Sequence, residues 1–240
     1  MPAYNAGKTI EATFGRIPAE VRERVTRYVV VDDGSTDDTA AALDRLAGAF
    51  PGLIVLRHEI NRGYGAAEKA LLAHARDNGA QAMILLHADG QYSPEKIPAL
   101  LRPLDDGTAE LVQGSRMLAG GAIAGGMPAY KYVANKCLTA LENLAFGMKL
   151  AEYHSGFMVY GRPVLDRVPF ARLSDSFDID IEIMLCASLL GMRLKEIAIP
   201  TIYAGETSHL SPIRYGFDVL SIVRRHWQGY YRALLAEAVP

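Results

Sequence analysis

Cysteine is scarce in this chain of 240 residues: there are two, Cys137 and Cys186, far apart and without a CxxC spacing. They read as buried thiols inside predicted helices, in a reducing compartment, rather than as a disulfide framework. Excess charge of one sign is missing as well. Twenty-five Lys and Arg face 27 Asp and Glu, a formal net charge of −2, so no global field draws the chain to nucleic acid or to an anionic membrane. No nucleic-acid partner is expected. No apolar run reaches the roughly 18 residues of a membrane span. The richest, Ile181 to Met192, is interrupted by Glu182 and reads as a buried helix. A signal peptide is not expected either, because Met1 is followed by Pro2, Tyr4, Asn5 and Gly7, a loop-like opening. That opening implies a first strand that is missing or lies outside this numbering. Internal repeats and low-complexity segments are absent. What is present is apolar: 50% of residues are hydrophobic and 22% charged, enough for a sizeable core and little disorder.

Short apolar runs alternate with helical patterns, the pattern of a mainly parallel sheet with crossover helices. Strands are expected at Tyr28 to Val31, Leu53 to Leu56, Met83 to Leu86, Glu110 to Gln113, Phe157 to Tyr160 and Leu194 to Ile199. Helices are expected from Ala40 to Ala47, about Ala66 to Arg76, about Tyr132 to Phe146, and Asp180 to Leu190. Ser35-Thr36-Asp37-Asp38 carries a capping-box spacing ahead of the first helix. Ala119 to Gly126, rich in Gly and Ala, reads as a mobile loop, and the tail from about Ile213 to Ala236 as an amphipathic helix. A single domain is the simplest organisation.

The stretch ILLHADGQY at 84–92 raises the central question. An apolar strand runs straight into His87, Asp89 and Gln91 at alternate positions. Asp-Gly is a common turn dipeptide, so one reading is a strand end and a turn. The other is a metal site at the carboxyl edge of a parallel sheet. Two more polar clusters follow predicted strands, Asp32-Asp33 and Asn61-Arg62-Gly63-Tyr64-Gly65. Ligands of open α/β sheets collect at the carboxyl ends of strands, so three clusters there favour one shared site over three separate turns. Asp32 and Asp33 are either caps and turn residues or acceptors of hydrogen bonds from a nucleobase or ribose. Gly63 and Gly65 would let backbone amides approach a phosphate, though GxG also marks ordinary tight loops. His87, Asp89 and Gln91 share a face in extended geometry, and Gly90 can supply the bend that brings them to one ion. Downstream, Asp178, Asp180 and Glu182 alternate on entry to a helix, where acids often act only as dipole partners.

PAYN at 2–5, VVDDGSTDDT at 30–39, NRGYGAA at 61–67, HADGQYSPE at 87–95, GSR at 114–116, YHSGF at 153–157 and FDIDIE at 177–182 come in that order. Together they resemble the inverting glycosyltransferases of family 2, most closely the dolichol- and polyprenyl-phosphate mannosyltransferase branch. The resemblance runs through about residue 210. It implies an α/β protein of GT-A fold, one domain over 1–240. About 1–118 would be the nucleotide-sugar-binding half, and about 119–240 the acceptor half with its C-terminal helix. It also implies a UDP- or GDP-sugar donor, a divalent cofactor (Mn²⁺ or Mg²⁺), and a polyprenyl phosphate or other acceptor.

By that resemblance Pro2, Ala3 and Tyr4 pack on the nucleobase, and Asp33, beside Asp32, holds the base or ribose. Asn61, Gly63, Gly65 and Ala88 line the nucleotide pocket. Asp89 matches the second acid of the metal-binding DxD, Gln91 the glutamine two residues later, and Arg116 a group facing the diphosphate or sugar. His87 departs from the family, standing where the first aspartate belongs. Imidazole suits Mn²⁺ better than Mg²⁺; alternatively His87 orients Asp89 without touching the metal. Asp180 is the candidate general base. His154, Ser155 and Asp178 are candidate acceptor contacts, and His209 falls in a loop that would close over the diphosphate. Two rivals remain: a sugar-1-phosphate nucleotidyltransferase, whose glycine-rich basic opening PAYNAGKT matches poorly, and a degenerate nucleotide-sugar-binding protein, favoured only by His87. Arg224 to Arg232, rich in arginine and aromatics, fits either a membrane surface or a homodimer contact. A cytoplasmic protein is expected, free or peripheral at the inner face of a membrane.

Overall fold

The computed structural model describes residues 1–200 and 212–238. The apolar runs become strands β1 (Pro2–Ala3), β2 (Tyr28–Asp33), β3 (Leu53–His58), β4 (Ala82–Leu85), β5 (Leu111–Ser115), β6 (Met158–Gly161) and β7 (Leu194–Ala198). One sheet has the order β1-β2-β3 and is parallel throughout; the other has the order β4-β6-β5-β7. In the second, β5 and β7 are parallel, but β6 runs antiparallel to both β4 and β5. An apolar run of four residues carries no direction, so the sequence could not announce that reversal. A first strand is present inside the predicted opening loop: Pro2 pairs with Val31 and Ala3 with Asp32.

The helices are α1 (Ile10–Gly15), α2 (Ala19–Arg24), α3 (Thr39–Ala49), α4 (Tyr64–Asp77), α5 (Ile97–Asp105), α6 (Gly121–Ala124), α7 (Ala129–Phe146), α8 (Arg162–Arg167), α9 (Ile179–Leu189), α10 (Pro212–Trp227) and α11 (Tyr230–Ala238). Side chains alternate across a strand, so successive residues feed two cores. Val31, Leu111, Met158 and Tyr160 pack with Leu72 of α4, Leu165 of α8, Ile183 of α9, Ile222 of α10 and Leu234 of α11. Val30, Val112 and Val159 pack with Phe14 of α1, Val21 of α2, Leu43 of α3 and Leu100 of α5. With helices on both faces, the strands are apolar on both, as a βαβ-built sheet requires. Every residue of α9 from Ile179 to Ala187 is buried, the buried helix expected there.

Several local expectations are corrected. Helix α3 starts at Thr39 behind Asp38, which makes no side-chain cap bond. Ser35 and Thr36 serve the opening loop instead: the Asn5 amide donates to Ser35 Oγ at 3.0 Å, and the Thr36 amide to Asn5 Oδ1 at 2.9 Å. The Gly- and Ala-rich segment forms a 3₁₀ turn at Leu118–Gly120 followed by α6. The tail is two helices, separated at Gly229, whose φ of +79° ends α10. Cys186 is buried but Cys137 is exposed, because it lies on the outward side of α7; both thiols are free. Among the described residues no helix is long and apolar enough to cross a membrane.

Candidate active site

Asp33 ends β2 with its side chain 4% exposed. Its carboxylate accepts the amides of Arg62 (3.0 Å) and Gly63 (2.9 Å) and lies 2.5 Å from His58 Nδ1. Asp33 therefore clamps the loop that carries Asn61. Asp32 accepts the Ser35 amide at 3.1 Å, the turn role it shares with many strand-end aspartates. Gly34 makes the crossing of the two loops feasible: at φ +70°, a Cβ there would lie 2.5 Å from the Asn61 nitrogen. Pro2 is half-buried and Ala3 and Ala88 are buried, while Tyr4 and Asn61 stand exposed on these loops.

The close approach permitted by Gly63 and Gly65 is to protein, a correction to their reading as phosphate-facing glycines. The Gly63 amide is engaged by Asp33, and the Gly65 amide donates to the Asp175 carbonyl at 3.0 Å. A Cβ on Gly65 would sit 2.6 Å from the Asp175 carbonyl carbon. These glycines seat the start of α4 against the 174–176 segment.

That seating aims Tyr64 into the middle of the site. Its ring stacks on Phe177 at 5.4 Å, and its hydroxyl donates to Asp180 Oδ2 at 2.9 Å while lying 3.2 Å from His87 Nε2. One side chain thus joins all three predicted regions: the 61–65 loop, the HADG turn and the acidic entry to α9. Gly156 closes the group, since a Cβ there would lie 2.7 Å from His87 Nε2. Burial pushes the His87 imidazole below its ordinary pKa, and Asp89 opposes the shift.

Asp180 is 5% exposed. Its second oxygen accepts the Tyr160 hydroxyl at 2.9 Å, and the same hydroxyl lies 2.5 Å from Glu68 Oε1. One hydroxyl has one proton, so it cannot donate to both carboxyl groups. Burial holds Glu68 well above its ordinary pKa. With Glu68 protonated and donating to Tyr160, and Tyr160 donating to Asp180, every contact is a hydrogen bond. Burial also raises Asp180, to about 6, against the lowering effect of the Tyr160 and Tyr64 hydroxyls.

At the HADG turn, Gly90 takes φ +76° and the Gln91 amide donates to Asp89 Oδ1 at 3.0 Å. The turn reading is thus correct as far as it goes, and it leaves the half-buried Asp89 carboxylate at the sheet edge. Among the described residues no three His, Cys, Asp or Glu side chains gather as a metal cage. His87 turns its Nε2 toward the Tyr64 hydroxyl, at 3.2 Å. The donor set fits a hard cation of the other kind, held by one carboxylate plus substrate phosphates.

Arg116 follows β5. Its Nε donates to Glu152 Oε1 at 2.9 Å, its own amide donates to Glu152 Oε2 at 2.8 Å, and its guanidinium reaches the His154 carbonyl at 2.5 Å. Asn135 of α7 adds a bond to Glu152 at 3.1 Å. Burial alone would raise the Glu152 carboxyl, but the Arg116 charge and hydrogen bonds carry it below its usual range. His154 is held between helices, with Nδ1 2.9 Å from the Tyr215 hydroxyl and Nε2 3.3 Å from Glu142 Oε2. Ser155 is buried, and its carbonyl accepts Gln113 Nε2 at 3.0 Å. Asp178 is buried and accepts the Ser174 hydroxyl at 2.6 Å. Glu182 is a structural pin, bound by the Ser174 amide, Tyr231 and Arg225. His209 lies outside the described residues. Glu68, Glu152, Glu142 and His58 were not singled out from the sequence.

Acidic strand ends, glycine-pinned loops and a held arginine gathered at the strand ends have the layout of a ligand site in an open α/β fold. Residues 1–168 match the family model described as Glycosyl transferase family 2, and the chain belongs to that family: it is a glycosyltransferase. Its relatives include polyprenol monophosphomannose synthase of Mycolicibacterium smegmatis, 29% identical over 75% of this chain and 68% of that one. Undecaprenyl-phosphate mannosyltransferase of Micrococcus luteus is 27% identical over 95% of each chain. Among solved structures, glucosyl-3-phosphoglycerate synthase of M. tuberculosis superimposes with a TM-score of 0.67 at 21% identity, over 93% of this chain and 78% of that one. At that identity the likeness shows the fold, which is GT-A.

Proposed function

We propose that the chain moves a sugar from a nucleotide-diphosphate sugar to a polyprenyl phosphate, with inversion at the anomeric carbon. The observation that carries the choice of acceptor is the state of Asp180. A hydroxyl acceptor needs a base within hydrogen-bond reach, and Asp180 is the acid placed for it. Yet it is 5% exposed, and both oxygens accept tyrosine hydroxyls. An acceptor phosphate is already anionic at pH 7 and attacks without help. Asp180 then orients Tyr64 and Tyr160 instead of taking a proton. The names of the relatives, a polyprenol monophosphomannose synthase and an undecaprenyl-phosphate mannosyltransferase, agree with this reading.

On the donor side, Tyr4, Asn61 and Ala88 border the nucleotide, on loops that Asp33 and Gly34 pin together. Asp89 would hold a divalent cation whose other ligands come from the diphosphate and water. When bound, that cation neutralises charge building on the leaving nucleoside diphosphate. The synthase of M. tuberculosis has been crystallised with Mn²⁺ and UDP-glucose, which supports the assignment. Arg116, fixed by Glu152 and the His154 carbonyl, is assigned to the diphosphate.

A thermal-shift series with UDP- and GDP-sugars, with and without Mn²⁺, tests the donor site, since a ligand that binds only the folded state raises Tm. The expected result is a metal-dependent rise that Asp89→Ala abolishes. No rise with any nucleotide sugar, in the presence of either Mn²⁺ or Mg²⁺, would overturn the proposal.

A further inference from the structure

Phe177 stands at the head of FDIDIE, three residues before Asp180. Its ring is 41% exposed, although the segment that carries it is tied down from two sides. Helix α4 supplies one set of ties. The Gly65 amide donates to the Asp175 carbonyl at 3.0 Å, and Lys69 Nζ donates to the Leu173 carbonyl and, at 2.9 Å, to Asp175 Oδ1. The segment supplies the other: the Ser176 amide donates to Ser174 Oγ at 3.1 Å, and Ser174 Oγ donates to Asp178 Oδ1 at 2.6 Å. Tyr64 lies flat against one face of the Phe177 ring, 5.4 Å away and 9° from parallel. With that face covered, the exposure lies on the opposite face and the edges. Leaving a phenyl ring in water forgoes the stabilisation that burial gives. A ring already immobilised, in turn, binds a partner without the cost of ordering it first.

The surroundings of the ring decide what covers it. The Tyr64 ring beneath it is 5.2 Å from the His87 ring at the HADG turn, and the Tyr64 hydroxyl donates to Asp180 Oδ2. Phe177 therefore stands one ring beyond the turn that carries Asp89 and beside the acid of the acceptor side. The charges on its segment are carboxylates, Asp175, Asp178 and Asp180, which disfavours a phosphate of donor or acceptor as the covering group. Its chain neighbours Ser176 and Asp178 are polar, unlike the walls of a groove for a polyprenyl tail. A sugar ring meets both conditions. Its hydroxyls bond to polar groups at the rim, and its C–H bonds present a face of partial positive charge to the negative face of the phenyl ring. An apolar platform among a few polar groups is the make-up of a small-molecule site.

We infer that Phe177 is the platform on which the transferred sugar of the donor stacks, and that it helps set which nucleotide sugars the site accepts. An axial hydroxyl on the stacked face holds a sugar off the phenyl plane, so sugars that differ in such a group are told apart. Positive charge builds on the sugar ring as the nucleoside diphosphate leaves, and the negative face of the phenyl ring stabilises it. Phe177 thus acts on the sugar and its transfer, and not on the nucleotide. The inference rests on the nucleotide-sugar reading of the donor site and is independent of which acceptor takes the sugar.

Calorimetry on the full chain with Mn²⁺ compares UDP with UDP-glucose and UDP-N-acetylglucosamine, and GDP with GDP-mannose. The proteins are wild type, Phe177→Ala, Phe177→Leu and Phe177→Trp. Phe177→Ala should weaken the nucleotide sugar that wild type binds by about three- to tenfold, while the parent nucleoside diphosphate stays within about twofold. The parent nucleotide also serves as the control for folding of the site. Phe177→Leu keeps an apolar side chain without a π face and should lose as much, whereas Phe177→Trp should restore affinity. With polyprenyl phosphate as acceptor, Phe177→Ala should raise KM for the donor and lower kcat, leaving KM for the acceptor unchanged. Equal losses for sugar and parent nucleotide, full affinity in Phe177→Leu, or a rise confined to the acceptor KM would overturn the inference. If wild type binds a nucleotide sugar and Phe177→Ala binds it equally well, the platform is wrong and the donor reading stands. Binding of none of these nucleotide sugars by wild type would overturn the donor reading and this inference with it.

Discussion

Asp180→Asn keeps the shape of the side chain and removes its charge, which separates a base from an orienting group. Asp180 has a folded-state pKa near 6 against an ordinary 3.8. At about 1.4 kcal/mol per unit, that difference is on the order of 3 kcal/mol. The sign follows from proton binding. The folded carboxyl binds its proton more tightly than the unfolded one, so its favourable contribution is fully present below about pH 4. It is lost as the pH rises through 6. Asparagine has no such proton. Between pH 4 and pH 8 the stability of the variant relative to wild type should therefore rise by about 3 kcal/mol. An offset of about 1–3 kcal/mol runs the other way at every pH, because the amide has one acceptor for two tyrosine hydroxyls. Urea unfolding at pH 4, 6 and 8 reads the slope. In the transfer assay with polyprenyl phosphate, turnover should stay within about tenfold of wild type, a smaller loss than removal of a general base causes. The acidic limb of the pH–rate profile should persist, because it belongs to the acceptor phosphate. A loss of about 10²–10⁴ with donor binding intact and that limb flattened would make Asp180 the base after all.

Asp89→Ala should cut turnover by roughly two to four orders of magnitude while leaving the fold intact; retention of more than about half the activity would remove Asp89 from the metal. Asp33→Ala releases the Arg62 and Gly63 amides as well as any ligand, so both nucleoside diphosphate affinity and Tm should fall. The loss in affinity should be about 1.5–3 kcal/mol, and calorimetry showing equal affinity would confine Asp33 to its clamp. Gly65→Ala places a methyl 2.6 Å from the Asp175 backbone and should destabilise by about 1–3 kcal/mol; an unchanged denaturation midpoint would show that the 174–176 segment yields freely.

The strand ends were the legible part of the site, because apolar runs stop abruptly at Asp32-Asp33 and at His87, and a polar strand end in an α/β chain has few other uses. Helix α9 was legible from its apolar run, interrupted by Glu182. Tyr64 stood in plain view inside NRGYG but read only as a loop residue, since nothing in one segment tells that it reaches both His87 and Asp180. Glu68 and Glu142 lie within helical patterns, where a carboxylate ordinarily marks the solvated side; only the packing of α4 against β2, and of α7 against α10, buries them. Glu152 sits two residues before His154 in the sequence, and only the fold brings it to Arg116 as a counter-charge. The glycines of NRGYG signal a close approach, but a requirement for no side chain does not say what approaches. Cys137 was placed inside on composition, and the outward apolar stripe of α7 shows why that inference fails for a helix with apolar residues on an exposed face.

Transfer to polyprenyl phosphate is the most direct test. The protein is incubated with UDP- or GDP-linked labelled sugars, Mn²⁺ and polyprenyl phosphate in detergent, and the organic phase is extracted. A lipid monophosphate carrying one sugar, with anomeric configuration opposite to that of the donor, is the predicted product. No label in the lipid while a hydroxyl acceptor becomes glycosylated, or a product that keeps the donor's configuration, would contradict it.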